Sequence, residues 1–321
     1  MTKILITGGG GMIGQVLAQQ IADQGLGDEA ASKVTLLDLF IPESGAPHHF
    51  ALQGGLDDGA LMDQALADRP DVIFHLAAAV SGECEKIFEL GWSVNVTHFQ
   101  SMLEKIRALH EAEGYTPRLV FASSAAVYGG PLPDYVPDDF HLAPQSSYGA
   151  QKVVGEIMVA DYANKGFLEG VSLRLPTIAV RPGKPNAAAS SCFSGIIREP
   201  LNGEEALLPL PESTIHMHAS PRSAAGFFRH AAVMDLEPLQ GVRGIVPPSY
   251  SCTIEEQIET LRNYAGNAAV ALIKRTPDPM VEKIVQGWPK GFTAERARAL
   301  GFKAETSYEQ ILQAYVEDFL S

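Results

Sequence analysis

The chain has 321 residues, of which 46% are hydrophobic, and a formal net charge of −14. That length and composition suit a globular protein with a large core, as one α/β unit or two lobes sharing a cleft. The acidity argues against nucleic acid or an anionic membrane as a partner. Met1-Thr2-Lys3 leads straight into a strand, and no apolar run is long enough for a membrane span, so the expectation is a cytoplasmic protein.

In chain order, Lys3–Thr7 is a short apolar run, then come glycines and an amphipathic stretch from Met12 to Gln24, which predicts strand, tight turn and helix. Further buried strands are expected at 33–38, 71–76, 118–122 and 171–175, with helices near 58–68, 85–112 and 147–165. This alternation predicts an α/β fold with a doubly wound parallel sheet and right-handed crossovers. After about residue 176 the pattern degrades, and prolines at 176, 182, 185, 200, 209, 211 and 221 punctuate loops and short elements. We expect a dinucleotide-binding domain over 1–176 and a smaller, irregular, mainly substrate-binding lobe over 177–321, with the chain returning to the first domain. Helices are expected at 254–264 and 308–320. The cysteines, Cys84, Cys192 and Cys252, are widely spaced and read as reduced thiols. Neither His48-His49 nor His216-x-His218 has supporting ligands at a usual distance, so no metal is expected.

Chemistry concentrates at the predicted strand ends. Thr7-Gly8-Gly9-Gly10-Gly11-Met12-Ile13-Gly14 follows a strand and opens a helix, the context in which glycines let the backbone approach a pyrophosphate at the positive helix end. Asp38 ends the second run, where a carboxylate hydrogen-bonds the adenosine ribose and repels a 2′-phosphate. Leu39 and Phe40 follow it with no arginine, so NAD is favoured over NADP. His75-Leu76-Ala77-Ala78-Ala79 ends another strand with small side chains against which a cofactor could lie or a helix pack. Phe121-Ala122-Ser123-Ser124 places two serines at a carboxyl end. Tyr148-Gly149-Ala150-Gln151-Lys152 puts a phenol and an ammonium on one helix face. A phenol is a poor base near neutral pH, with an ordinary pKa of about 10, and a neighbouring cation favours its ionised form.

Together these motifs resemble the extended short-chain dehydrogenase/reductase family, the group of NAD-dependent nucleotide-sugar epimerases and dehydratases. The resemblance covers essentially the whole chain and is most specific over residues 4–182. It rests on Thr7-Gly8-x-x-Gly11-x-x-Gly14, Asp38, His75-Leu76-Ala77-Ala78, Asn95 within Val94-Asn95-Val96-Thr97, the serine block, and Tyr148 with Lys152. It implies a Rossmann-type domain with a smaller C-terminal substrate lobe. It implies that Tyr148 is the proton-transferring base, that Lys152 holds the nicotinamide ribose and lowers the phenol's pKa, and that Ser124 bonds the reacting oxygen. Ser123 would lie beside the cofactor, and Pro176-Thr177-Ile178 would line the nicotinamide carboxamide. Gly8, Gly11, Met12, Ile13, Gly14, Asp38, Leu56, Leu76, Ala77, Ala78 and Asn95 complete the implied NAD site. A homodimer built from the helices near 85–112 and 147–165 is implied too.

The departures bear on substrate. Gly54-Gly55-Leu56 stands where relatives carry Gly-Asp-Leu. His218-Ala219-Ser220-Pro221-Arg222-Ser223 replaces an Arg-Asp-aromatic block and its acidic pair. A guanidinium there suits a carboxylate. With Val80-Ser81-Gly82-Glu83 and the small polar run 181–191, this resembles the branch of the family that oxidises the C2 hydroxyl of D-erythronate, a four-carbon sugar acid. The implied substrate contacts are Ser81, Ser124, Tyr148, Asn186, Ser190 and Arg222. The rival expectations are a nucleotide-sugar epimerase or dehydratase that recycles its NAD, an L-threonine 3-dehydrogenase, and a non-catalytic NAD-binding sensor, which would be expected to lose Ser124, Tyr148 or Lys152.

Overall fold

A computed structural model describes residues 2–27, 29–43, 45–184 and 189–320. These form two compact units: residues 1–127, 144–175 and 225–245 make the first, and residues 128–143, 176–224 and 246–321 the second. Beyond the return of the chain to the first unit at 225–245, residues 128–143 belong with the second.

The first unit is built on strands β1 (Thr2–Thr7), β2 (Ala31–Asp38), β3 (Phe50–Gln53), β4 (Val72–His75), β5 (Arg118–Ser124) and β6 (Glu169–Leu175), with a short seventh strand, Gly244–Ile245. Every pairing is parallel, in the order seventh strand, β6, β5, β4, β1, β2, β3. The order reverses between β1 and β4, and ligands of such sheets bind outside the carboxyl ends at that switch point. Ile4, Leu5 and Ile6 of β1 are almost fully buried, as expected for a strand covered on both faces. Each such side chain contributes about 1.5–3 kcal/mol relative to exposure. Two strands escape the sequence pattern for simple reasons. β3 is an edge strand with no buried residue, and the seventh strand is only two residues long.

The crossovers include α1 (Met12–Gln24), α2 (Gly59–Leu66), α3 (Ser81–Lys86), α4 (Phe88–Trp92), α5 (Phe99–Glu113) and α6 (Ser147–Asn164). The single helix expected over 85–112 is instead a series. Ile87, at φ −130°, separates α3 from α4, and a π-helical turn, Ser93–His98, joins α4 to α5. Asn95 lies in that turn, a geometry that recurs at functional sites. Along α6 the chain lies close to β5 and the turn after it. A Cβ at Gly149 would fall 2.2 Å from the Ala126 carbonyl oxygen, and one at Gly155 would fall 2.5 Å from the Phe121 ring.

The second unit contains a three-stranded sheet of Thr177–Ile178, Ile215–Ala219 and Tyr250–Thr253, and a two-stranded sheet of Ala206–Leu208 with Ile273–Arg275. Its core gathers Phe193, Ile196, Ile197, Ile254, Ile258, Leu261, Tyr308 and Ile311. The helices Ser191–Leu201 and Pro221–Val233 run through the stretch expected to hold loops and short elements. Pro221 begins its helix, where the missing N–H is harmless, and Pro200 falls in the last turn of its own. The helix expected over 254–264 continues to Val270 across a break at Gly266, whose φ of +80° suits glycine. Among the described residues no helix is long and apolar enough to cross a membrane.

Candidate active site

The glycine turn expected to hold the cofactor is a place where side chains do not fit. Gly8 has φ +75°, and a Cβ there would fall 2.6 Å from the Ala77 backbone nitrogen, while one at Gly14 would fall 2.4 Å from the Gly8 carbonyl oxygen. Leu76 N donates to Thr7 O at 2.9 Å, so the small-residue run after β4 lies directly along the glycine turn. Helix α1 starts at Gly11 with no side-chain cap and no acid in its first turn. Its first N–H groups and the positive end of its dipole are therefore open to an anion, with Met12 and Ile13 in that turn. The donors and the space fit a dinucleotide's diphosphate.

Asp38 ends β2 and accepts from the Gly10 N–H at 3.0 Å. One carboxylate thus fixes the glycine turn and stands where a ribose would be bound. The 54–56 segment follows β3, with Gly54 N donating to Asp38 O at 2.9 Å and Leu56 half-buried. His75 is a scaffold residue. Its Nδ1 lies 2.8 Å from Thr7 Oγ1, its ring stacks on Phe99 at 4.3 Å, and burial, with Lys152 nearby, lowers its pKa to about 3. It therefore stays neutral and ties β4 to β1.

Tyr148 and Lys152 face one another on the first turns of α6, where Ser146 caps the helix by accepting from Gly149 N at 3.1 Å. The Lys152 ammonium lies 5.5 Å from the Tyr148 ring centre and 4.9 Å from that of Phe121, and donates to the Ala122 carbonyl at 2.8 Å. Burial lowers its pKa to about 8, while Cys84 and the Glu156 carboxylate act in the opposite direction. Tyr148 and Ser124 are only half-buried, whereas Lys152 is 3% exposed. Ser124 Oγ accepts from Ala126 N at 3.1 Å, which holds the hydroxyl at the mouth of the β5 turn. A held cation, a phenol that solutes can reach and a fixed hydroxyl together can move a proton at an alcohol oxygen.

Other expected residues have different surroundings. Ser123 is buried and donates its hydroxyl to the Glu156 carboxylate. The Asn95 amide is engaged by protein: Oδ1 accepts from Ala79 N at 2.8 Å, and Nδ2 donates to Ala79 O at 3.1 Å and to Gln151 Oε1 at 2.8 Å. Ser81 is exposed at the start of α3.

Within the second unit, Thr177 begins the three-stranded sheet after Pro176, and its hydroxyl lies 2.7 Å from His216 Nε2. Ile178 is buried. Ser190 precedes the helix Ser191–Leu201 without capping it by its side chain. Asn186 lies outside the described residues. Arg222, expected to take a substrate carboxylate, is already matched to carboxylates of the chain. It donates to both oxygens of Asp318, at 3.1 and 2.6 Å, and lies 2.9 Å from Glu317. Among the described residues no group of His, Cys, Asp or Glu is arranged to hold a metal ion, and all three cysteines are free thiols.

Two residues at the site were invisible in the sequence. Glu156 and Arg174 form a buried bidentate pair behind Lys152. The Glu156 position, four after Lys152, is a signal only in retrospect. The Arg174 contact crosses from one element to another.

Residues 4–214 match the NAD dependent epimerase/dehydratase family. The chain is 44% identical to a D-erythronate dehydrogenase of Cupriavidus necator, over 98% of both chains. It is 35% identical to one of Haemophilus influenzae, over 98% of this chain and 99% of that one. It is also similar to a crystal structure described as a nucleoside-diphosphate-sugar epimerase from Agrobacterium tumefaciens, at 48% identity and a TM-score of 0.95, covering 99% of this chain and 94% of that one. The chain therefore belongs to the NAD dependent epimerase/dehydratase family and is an NAD-dependent oxidoreductase.

Proposed function

We propose that the protein oxidises the C2 hydroxyl of a short sugar acid, D-erythronate, to the 2-keto acid. The observation that carries this reading is full-length agreement with two D-erythronate dehydrogenases, in a chain that keeps Ser124, Tyr148 and Lys152. Bound NAD supplies the acceptor for the hydride that leaves C2 with its electron pair. The remaining work belongs to the chain. Tyr148, as phenolate, takes the hydroxyl proton, so that the O–H bond breaks as the C2–O bond becomes a carbonyl. Lys152 favours the phenolate electrostatically and would hold the nicotinamide ribose. Ser124 donates to the oxygen on which charge develops.

The cradle at Gly8, Gly11 and Gly14 would hold the diphosphate, Asp38 the adenosine ribose, and Leu56, Leu76, Ala77 and Ala78 the flanking surfaces. Thr177 would serve the carboxamide. Ser81, Asn186 and Ser190 are proposed for the substrate's carboxylate and hydroxyls. We place the enzyme in the cytoplasm and, by its family resemblance, as a homodimer.

The competing reading, nucleotide-sugar epimerisation, draws on the name of the Agrobacterium structure and on similarity to UDP-glucose 4-epimerases, 29% and 27% identical over 55% of this chain. D-Erythronate deuterated at C2 separates the two. The label is expected in the reduced cofactor and absent from the keto product. Reduced cofactor without label would place the oxidation at another carbon. Absence of any reduced cofactor, alongside interconversion of a nucleotide sugar, would replace this reading with the epimerase.

A further inference from the structure

Two consecutive residues of β5 are tied to two consecutive turns of α6. Ala122 gives its carbonyl to the Lys152 ammonium at 2.8 Å, and Ser123 gives its hydroxyl to Glu156 Oε1. Glu156 stands one turn beyond Lys152, on the same helix face. Its carboxylate also receives the Arg174 fork, from Nε at 3.0 and 3.1 Å and from Nη2 at 2.8 Å. Arg174 is the β6 partner of Ser123 in the parallel register, so the three residues link two neighbouring strands to the helix. All three are buried: Ser123 is 2% exposed, Glu156 6% and Arg174 9%. Room for the pair depends on Gly244 in the seventh strand, where a Cβ would fall 2.5 Å from Arg174 Nη2 and 2.9 Å from Glu156 Oε2.

A buried ion pair costs desolvation that an apolar pair of similar size would avoid, so packing alone is a weak reason for it. Directional bonds are what an apolar pair lacks. The residue after Ser123 is Ser124, and the residue before it anchors Lys152. A shift of Ser123 against Glu156 therefore moves both catalytic ends of the site.

We propose that Ser123, Glu156 and Arg174 form a positioning brace that fixes the β5 end carrying Ser124 against the α6 face carrying Lys152, and that the Ser123 hydroxyl serves this brace rather than the cofactor. This rests on the roles given above to Ser124, Tyr148 and Lys152.

The test uses the full-length chain and its Ser123→Ala and Glu156→Gln variants. The substrate is whichever of D-erythronate, a nucleotide sugar or L-threonine the wild type turns over, so that a wrong substrate is told apart from a wrong brace. For each protein, kcat, KM, NADH affinity by fluorescence and the folded fraction by thermal unfolding are measured. Misplacing reacting groups acts on kcat, so we expect Glu156→Gln to lower it about tenfold to a hundredfold and Ser123→Ala about tenfold. KM and the NADH Kd should stay within about twofold. Ser123→Ala leaves the ion pair intact and so answers the question even where Glu156→Gln fails to fold. The brace is refuted if kcat is unchanged in Ser123→Ala, or falls only in proportion to the folded fraction. A tenfold weaker NADH Kd with kcat preserved would return Ser123 to the cofactor site.

Discussion

The glycine turn after β1 and the front of α6 sit on the same parallel sheet and are built in opposite ways. In the turn, side chains are removed: Gly8 and Gly14 let backbone meet backbone, and α1 begins without a cap. On α6, function comes from side chains that the interior would ordinarily refuse. The Lys152 ammonium and the Glu156–Arg174 pair are buried, and each is held by several bonds. Damage should differ accordingly. A change in the turn is steric and falls on cofactor affinity, whereas a change on α6 is electrostatic or directional and falls on turnover.

The largest effect should come from Tyr148→Phe. Loss of a positioned general base is expected to lower kcat about a hundredfold to ten-thousandfold, with NADH binding retained in a fluorescence titration. If binding were lost along with turnover, the separation between the two regions would break.

Gly14→Ala is the converse. Its Cβ would fall 2.4 Å from Gly8 O, backbone that can yield only by moving the turn. An overpacking cost of about 1–3 kcal/mol corresponds to a Kd for NAD raised about fivefold to 150-fold. Here kcat at saturating NAD should be far less affected.

Asp38→Asn should narrow the preference for NAD over NADP about tenfold, the scale of one charge-assisted bond. The ratio of kcat/KM for the two cofactors measures it. An unchanged ratio would mean that discrimination lies elsewhere.

The smallest effect is assigned to Arg222→Ala. Its partners are Asp318 and Glu317, and the Arg222 side chain is 42% exposed. A surface pair of this kind is worth about 0–1 kcal/mol, so a small fall in Tm and little change in KM are expected. A tenfold rise in KM for the sugar acid would show that Arg222 binds the carboxylate after all.

What the sequence discloses follows from which constraints are local. Gly8-x-x-Gly11-x-x-Gly14 and Tyr148-x-x-x-Lys152 are dictated by turn and helix geometry within a few residues, so both were legible, as was Asp38 at the end of an apolar strand. The Ser123–Glu156–Arg174 brace joins three elements, and no spacing announces it. The occupied state of Arg222 depends on acids near the C-terminus, Glu317 and Asp318, far along the chain. In the second unit, Pro200 and Pro221 suggested loops because a proline's effect depends on its place in a helix, which spacing alone does not reveal. His216-x-His218 offered no metal pattern. It proves to be two alternate residues of one strand, buried against Phe193, with pKa values lowered by burial.

The central claim is that this Tyr148–Lys152 site performs a net oxidation of a sugar acid. It is tested most directly by incubating the purified chain with NAD and D-erythronate and following NADH absorbance, with Tyr148→Phe alongside. The account predicts NADH in an amount equal to the erythronate consumed, and essentially none from the variant. No NADH from the wild type, or equal rates from wild type and Tyr148→Phe, would contradict it.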